Sequence, residues 1–223
     1  SHLKSQLPDV IFLPWLGGHA YKLPLGSPNW RASLVNTIAT LHSQGFSGVH
    51  LDIEPLCDFH PGYSELLAEI RLAFQPSFVI SHATRRLAPR GLPAFIASRH
   101  CWSRAYYRHL MERTDQTVLM GYDSGLRWQK LYIAYLRYQT RILMGLACAL
   151  PGHSVMIGIP SYDDVPLLSD PRVENVTNAL AGIRAACKEV GKTALQGVAL
   201  YAHWTTDSRE WKEYEVYWLN RLN

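Results

Sequence analysis

The chain has 223 residues and a mass of 25.3 kDa, with 48% hydrophobic and 18% charged residues. This composition is typical of a globular protein with one sizeable core, and we predict a single domain over residues 1–223. The formal net charge is +4, but the basic residues are scattered, which argues against nucleic-acid binding. No run approaches the ~18 consecutive apolar residues of a transmembrane helix, so no membrane span is predicted.

Short apolar segments of strand length alternate along the chain with longer segments of helical period. Alternation of this kind predicts a parallel sheet built from β/α units. The short segments are rich in Val, Ile, Leu and Met, as expected for strands that are covered on both faces. Six strands are predicted, at residues 10–16, 48–53, 77–82, 117–122, 154–159 and 197–201.

Helix signals lie between the predicted strands. Ser27 and Pro28 offer an N-cap followed by proline in the first turn, and apolar residues then recur on one face until Gly45. Residues 1–7 are interpreted as the end of a helix, and residues 163–164 as a polar loop. Further helices are predicted at residues 63–74, 128–150, 176–190 and 208–219.

The number of strands decides the expected architecture. A closed barrel of parallel strands needs eight, and each β/α unit takes roughly 30 residues, so about 60 residues are needed to complete it. An open parallel sheet would expose two strand edges. We therefore predict an α/β fold of the (β/α)8 TIM-barrel type that lacks about the first two β/α units in this chain.

The most informative segment is residues 46–55, FSGVHLDIEP. Because side chains alternate along a strand, His50, Asp52 and Glu54 point to one face, and Glu54 lies nearest the C-terminal end, where barrel enzymes place their active sites. A buried strand rarely carries three ionisable groups on one face without a function. The alternative is a solvated strand end whose acidic residues have no catalytic role.

This strand resembles the signature strand of glycoside hydrolase family 18, D-G-x-D-x-D-x-E. Asp52 and Glu54 occupy its last two acidic positions, whereas Ser47 and His50 stand where the family has Asp. Residues 120–123, MGYD, end the strand two units later and are similar to the family's M-x-Y-D motif in spacing and strand order. The two similarities together favour the family 18 interpretation.

Weaker similarities extend over nearly the whole chain. Residues 158–162, GIPSY, resemble the family's penultimate strand. Residues 197–201, GVALY, with Trp204 just beyond, resemble the final strand, which supplies an aromatic floor to the sugar site. Residues 15–18, WLGG, fit least well, because Trp15 stands where the family often has Ser.

The resemblance implies hydrolysis of β-linked glycans that contain N-acetylglucosamine, with retention of configuration and without a metal or cofactor. In this substrate-assisted mechanism the N-acetyl oxygen of the substrate attacks the anomeric carbon. Glu54 would protonate the leaving oxygen and later activate water, a role that favours a raised pKa. Asp52 would hold the acetamido N–H and stabilise the developing positive charge. Tyr122 would hydrogen-bond the acetamido carbonyl, and Asp123 would position substrate or water.

An oligosaccharide or polysaccharide is therefore the expected partner. Trp204 is the first candidate for a stacking platform under a sugar ring, and its alternative is a packing role at the barrel end. Trp102 and Trp128 are further candidates for the wall of a cleft. The predicted substrate-binding residues are Trp204, His50, Trp15, Tyr162, Tyr201 and Met120.

His50 has two interpretations. In the family, the Asp at this position interacts with the next acidic residue, and a histidine here could pair with Asp52 and keep it anionic. In that case His50→Ala should lower turnover more than substrate binding. The alternative is a core histidine with a satisfied hydrogen bond.

Two other classes of function stay open at this point. A carbohydrate-binding protein could keep the barrel and lose catalysis, although the retained Glu54 argues against it. A two-carboxylate glycosidase could use Asp123 as its nucleophile, although the M-x-Y-D similarity already accounts for that residue. The substrate class favours an extracellular or periplasmic location, and the four cysteines lack the C-x-x-C spacing of a zinc or redox site.

Overall fold

The computed structural model describes residues 5–89, 101–162, 170–191 and 194–221. Within these ranges six parallel strands form one sheet in the order β1 to β6, so each strand pairs with the next along the chain. The strands are β1 Trp15–His19, β2 Gly48–Glu54, β3 Val79–Thr84, β4 Gln116–Met120, β5 Ser154–Pro160 and β6 Leu195–Tyr201.

Helices connect the strands and cover one face of the sheet. The Ser27 side chain accepts a hydrogen bond from the Trp30 N–H at the first helix, as its sequence predicts. Asp207 and Glu210 form a reciprocal capping box at the last helix. The helices are α1 Pro28–Ser43, α2 Pro61–Ala73, α3 Arg104–Met111, α4 Gln129–Ala147, α5 Val176–Val190 and α6 Ser208–Tyr217.

The two faces of the sheet have different surroundings. On β2, Val49 and Leu51 are fully buried, while the alternate residues His50 and Asp52 are only partly buried. We call the face that carries His50 and Asp52 the inner face. The sheet curls so far that Trp15 of β1 lies against Tyr201 of β6, with ring centroids 6.2 Å apart. The six units therefore form a partial (β/α) barrel, as predicted, with the helices outside.

The predicted strands β2 to β6 are confirmed to within two residues at each end, but the first is wrong. Residues 10–16 were expected to be the strand, whereas β1 runs from Trp15 to His19. Pro14 explains the difference, because proline has no N–H to donate to a ladder and favours the beginning of a strand over its interior. Its carbonyl accepts the first hydrogen bond, from the His50 N–H at 2.9 Å.

The predicted helices are confirmed to within three residues, but α3 was not predicted. Its signals are present in the sequence: Ser103 caps the Tyr106 N–H, and the buried Tyr107, Leu110 and Met111 recur at helical spacing. Residues 163–164, predicted as a polar loop, lie outside the described residues, as do residues 1–4 of the predicted first helix end. Of the helices described, none has the length and apolar character needed to cross a membrane.

Candidate active site

The four predicted catalytic side chains lie together at the C-terminal end of the sheet. Asp52 and Glu54 come from β2, and Tyr122 and Asp123 follow β4 directly. All four line one cavity of about 290 Å³. The cavity also receives Arg85, Arg86, Met120 and Tyr201. The structure thus brings together two sequence motifs that are about 70 residues apart because parallel strands end at the same edge.

Glu54 binds its proton more tightly than an ordinary carboxyl group. Burial raises the pKa of its carboxyl group to about 7, and the negative charge of Asp52 adds to the increase, while the Arg85 guanidinium opposes it. A protonated Glu54 also hydrogen-bonds Asp52. Near neutral pH the group therefore exists in both protonation states, which suits a residue that first gives and then takes a proton.

The two carboxylate oxygens of Asp52 have different surroundings. The indole N–H of Trp15 donates to Oδ2 at 3.0 Å. Oδ1 is buried, and no N–H donor of the described residues reaches it. Burial raises the pKa of Asp52, while its hydrogen bonds with Trp15 and Glu54 lower it. Because Trp15 occupies Oδ2, Oδ1 is the oxygen that keeps its full capacity to accept hydrogen bonds.

Close packing of β4 against β5 positions Tyr122. A Cβ on the preceding residue, Gly121, would lie 2.4 Å from the carbonyl oxygen of Gly158, so only glycine fits there. The Tyr132 hydroxyl donates to the Gly121 carbonyl at 2.7 Å. Tyr122 then stacks on Tyr201, with ring centroids 4.8 Å apart. Burial raises the pKa of Tyr122 above its usual range, so the hydroxyl keeps its proton and can donate it in a hydrogen bond.

Asp123 is held in an unusual backbone conformation. Its φ angle of 50° lies in the left-handed region, which few residues other than glycine adopt. The Arg86 side chain donates to its carbonyl oxygen at 2.8 Å, and the Tyr162 hydroxyl donates to its Oδ1 at 2.8 Å. Burial and this carboxylate raise the pKa of Tyr162, which therefore stays a donor. Tyr162, predicted to bind substrate, thus orients Asp123.

Exposed aromatic rings lie beside the carboxylates. Trp15 and Trp204 stack with centroids 6.4 Å apart, and their side chains are 49% and 64% exposed. Both line a second, larger cavity of about 740 Å³ that runs along the inner face. His50, Asp52, Met120 and Tyr201 line it too. Five of the six predicted substrate-binding residues therefore border this cavity, with Tyr162 the exception.

Two sequence predictions are corrected by the geometry. Trp102 lines no cleft, because it is 1% exposed and its indole N–H donates to the Leu56 carbonyl at 3.1 Å. The His50 ring does not hydrogen-bond Asp52; within the described residues its Nδ1 pairs with the Ser81 hydroxyl at 2.8 Å. Trp128 is 70% exposed in the segment before α4.

Sequence reasoning missed the two arginines of the site. Arg85 and Arg86 follow β3 directly, and both line the smaller cavity. Their position at the C-terminal edge of the sheet was a usable signal, because polar residues after parallel strands collect at that edge. Ser81 was missed as well, since nothing local to the sequence marks it as the partner of His50.

No protein-family model matches the sequence, and no curated protein matches it either. Solved structures do match. A Group IV chitinase of Ostrinia furnacalis has a TM-score of 0.60 and 14% identity, over 91% of this chain and 76% of the chitinase. A fungal endo-β-N-acetylglucosaminidase from glycosyl hydrolase family 18 has a TM-score of 0.60 and 16% identity, over 95% of this chain and 73% of the enzyme.

The chain has a fold like that of the family 18 barrels. The resemblance predicted from the sequence is therefore confirmed at the level of the fold. The human protein YKL-39 is also similar, with a TM-score of 0.50 and 20% identity, over 72% of this chain and 50% of YKL-39. It is described as a pseudo-chitinase with retained chitooligosaccharide binding properties. The same fold thus occurs in chitinases and in a pseudo-chitinase, and only the site can argue for catalysis.

Proposed function

We propose that the protein hydrolyses β-linked glycans that contain N-acetylglucosamine, with retention of configuration and with Glu54 as the general acid. The observation that carries the proposal is the carboxylate pair. Glu54, with a pKa of about 7, lies beside an Asp52 that keeps one buried oxygen without an N–H donor among the described residues. The similarity to chitinases and to an endo-β-N-acetylglucosaminidase supports the same substrate class.

The first step needs an acid and an oriented acetamide. Protonated Glu54 gives its proton to the glycosidic oxygen as that bond to the anomeric carbon breaks. Asp52 Oδ1 accepts the acetamido N–H, and the Tyr122 hydroxyl donates to the acetamido oxygen. The oxygen attacks the anomeric carbon, which closes a ring and places positive charge on the acetamide. The nearby Asp52 carboxylate stabilises that charge.

The second step returns Glu54 to its starting state. Its carboxylate takes a proton from water while the water oxygen bonds to the anomeric carbon and the acetamido oxygen leaves. Asp123, held by Tyr162, lines the same cavity and would position the water or the sugar. Two displacements at one carbon give net retention of configuration.

The aromatic rings would bind the sugar beside this centre. A sugar ring has apolar C–H faces that pack well on an indole, and Trp204 presents a largely exposed face at the rim of the larger cavity. Trp15 has a double role, because its ring stacks with Trp204 while its N–H holds Asp52. It therefore links substrate binding to the carboxylate that orients the acetamide.

The test is hydrolysis of a chromogenic β-N-acetylglucosaminide oligomer series by the protein and by Glu54→Gln. We expect turnover to fall by about 10³-fold in the variant, because the amide cannot protonate the leaving oxygen. Glu112→Gln, the same change at a partly exposed residue after α3, is the matched control and should hydrolyse normally. Hydrolysis retained in Glu54→Gln would remove this residue from the mechanism.

A second candidate function is carbohydrate binding without turnover. The exposed Trp15–Trp204 pair favours it, because such a platform binds sugar whether or not chemistry follows. Measured binding of chito-oligosaccharides with no product formed would select this function over hydrolysis. Cleavage of substrates that lack the 2-acetamido group would instead indicate a two-carboxylate mechanism with a protein nucleophile such as Asp123.

A further inference from the structure

A buried carboxylate that the proposed mechanism does not use lies behind the catalytic cavity. Glu174 is 2% exposed and stands directly before Asn175, the N-cap of α5. Its own backbone is fixed, because its N–H donates to the Asp170 carbonyl at 2.7 Å. Acidic side chains are rarely buried to this degree unless they are paired. The partners of Glu174 therefore indicate what the residue is for.

Those partners belong to the loop that follows β4. Glu174 Oε1 accepts from the Ser124 N–H at 3.0 Å and from the Ser124 hydroxyl at 2.6 Å. Burial raises the pKa of Glu174, whereas its hydrogen bonds with Ser124 and with the Asp123 backbone lower it. Successive backbone N–H groups converge on one anion where the chain turns through a left-handed residue, and Asp123 has a φ angle of 50°. The anion in this case is a carboxylate of the protein itself.

Arg86 holds the opposite side of the same peptide group. Its Nη2 donates to the Asp123 carbonyl at 2.8 Å, and its Nη1 donates to the Ser124 carbonyl at 3.1 Å. The peptide group between Asp123 and Ser124 is trans, so its carbonyl and its N–H point in opposite directions. Arg86 binds the carbonyl while Glu174 binds the N–H. The peptide cannot rotate without breaking hydrogen bonds to a charged group.

This arrangement maintains a conformation that Asp123 would not keep by itself. A left-handed backbone costs a non-glycine residue free energy, and it persists only where the surrounding structure holds it. The backbone bonds fix the direction in which the Asp123 side chain leaves the chain. Tyr162 then fixes the carboxylate, since its hydroxyl donates to Oδ1 at 2.8 Å. Asp123 consequently lines the cavity of about 290 Å³ together with Glu54.

We propose that Glu174 and Arg86 are positioning residues, which hold the Asp123–Ser124 peptide from both sides and so keep the Asp123 carboxylate in the catalytic cavity. Glu174 acts on the reaction only through Asp123. Asp123 contacts the water or the sugar, and Glu174 contacts the backbone that presents Asp123. The inference rests on the proposed function for the reaction that Asp123 serves.

The first measurement is the crystal structure of Glu174→Met beside that of the unmodified protein. Methionine has nearly the same length as glutamate but offers no oxygen to the two N–H groups. We expect Asp123 to leave the left-handed region and its carboxylate to lose the bond from Tyr162. Glu174→Gln keeps an amide oxygen as the acceptor and should keep both features. An unchanged φ of Asp123 in Glu174→Met would overturn the inference.

The second measurement is a double-mutant cycle with Asp123→Ala. Glu174→Met should lower kcat by about 10- to 100-fold, the effect of a small displacement of a catalytic group, with a smaller change in KM. Glu174→Gln should retain most of the turnover. In the Asp123→Ala background Glu174→Met should cause no further fall, because the two residues act as one unit. An equal fall in both backgrounds would show a merely structural role and would refute the proposal.

Asp115→Leu is the matched control. Asp115 also binds a backbone N–H, that of Ile80 at 2.7 Å, and it pairs with Arg71, but it lies directly before β4, at the opposite end of the strand from the cavity. Its loss should leave turnover per folded molecule unchanged.

A second variant tests the same peptide from its carbonyl side. If Glu174→Met does not fold, Arg86→Met, at a partly exposed position, replaces it in both measurements and should show the same absence of a further fall in Asp123→Ala. If the unmodified protein hydrolyses no N-acetylglucosaminide, the proposed function fails. The conformation of Asp123 is still decided by the crystal structures, so the two failures are distinguishable.

Discussion

Two chains of hydrogen-bonded side chains, each containing histidine, run across opposite faces of the sheet and share strands β3 and β4. On the inner face, His50 Nδ1 pairs with the Ser81 hydroxyl at 2.8 Å, and that hydroxyl donates to Gln116 Oε1 at 2.6 Å. Gln116 Nε2 donates to Gln196 Oε1 at 2.6 Å, and we call this series of bonds the inner chain. His50, at its end, lines the larger cavity.

On the outer face, under the helices, Tyr63 pairs with His82 Nδ1 at 3.3 Å, and His82 Nε2 pairs with Thr117 at 3.2 Å. Thr117 pairs with His153 Nε2 at 3.0 Å, and this outer chain ends at a backbone carbonyl.

The outer chain is closed. His153 Nδ1 must donate to the Thr114 carbonyl at 2.8 Å, so the Nε2 of His153 accepts from the Thr117 hydroxyl. The Thr117 oxygen then accepts from His82 Nε2. His82 Nδ1 in turn accepts from the Tyr63 hydroxyl. Both nitrogens of both histidines are satisfied. The comparison teaches that a buried histidine with two partners serves the fold, whereas His50 has a partner only at Nδ1 among the described residues and lines a cavity.

After the Glu54 substitution, the largest effect is expected on the inner face, at Asp52. Asp52→Asn should lower turnover by about 10²- to 10³-fold, because an amide cannot stabilise the positive charge of the closed-ring intermediate in the proposed mechanism. The free energy of unfolding should not fall, since burial already disfavours the ionised carboxylate and the amide oxygen still accepts from Trp15. Steady-state kinetics measure the change in turnover, and urea unfolding of the same preparations measures the change in the free energy of unfolding. If the fall in the free energy of unfolding were large enough to account for the lost turnover, Asp52 would be a structural residue.

The opposite result is expected at His82 on the outer face. This residue is fully buried, and His82→Ala removes two hydrogen bonds and leaves the Tyr63 hydroxyl without an acceptor. We expect the free energy of unfolding to fall by about 2–4 kcal/mol, with turnover per folded molecule unchanged. Urea unfolding combined with active-site titration separates the two quantities. Altered turnover in a stable His82→Ala protein would contradict the assignment of the outer face to stability and the inner face to activity.

Stability should also depend on pH through Glu54. Its pKa is raised from 4.5 to about 7 on folding, so the folded protein binds the proton more tightly than the unfolded chain. This contribution is fully present below pH 4.5 and is lost as the pH rises through 7. Because the group is partly solvated, we expect a loss of about 1–2 kcal/mol at most. Unfolding free energies measured from pH 5 to pH 8 should fall less in Glu54→Gln than in the unmodified protein.

The smallest effect is expected at Thr117. Thr117→Val keeps the shape of the side chain and deletes the hydroxyl that bridges His82 and His153. We expect a loss of about 1–2 kcal/mol in the free energy of unfolding and no change in turnover. Differential scanning calorimetry would detect it as a lowered Tm. No change in Tm would mean that the outer chain contributes little to stability.

The elements that could be predicted from the sequence are those with local patterns. Strand β2 was predicted because three ionisable side chains alternate with Val49, Leu51 and Ile53, which the structure buries. Helix α1 was predicted from its Ser27 cap. The meeting of Glu54 with Asp123 followed from strand order, since parallel strands deliver their C-terminal residues to one edge.

The contacts that could not be predicted depend on register and on side-chain reach. Trp15 donates to Asp52 across 37 positions of sequence, and no local pattern states that its indole turns inward. His50 pairs with Ser81 because their strands align these two residues directly, a register that only the folded sheet defines. The start of β1 depended on Pro14, whose missing N–H outweighed an apolar run that otherwise favoured a strand.

The exposure of the tryptophans gives the protein an intrinsic optical signal for occupancy of its cleft. Trp102 and Trp218 are almost fully buried, whereas Trp15 and Trp204 meet water at the rim of the larger cavity. A sugar stacked on the rim pair would exclude that water and shift their fluorescence to shorter wavelength, while the buried pair stays constant. Ligand affinity can therefore be followed by emission alone, with no label, and independently of whether any bond is cleaved.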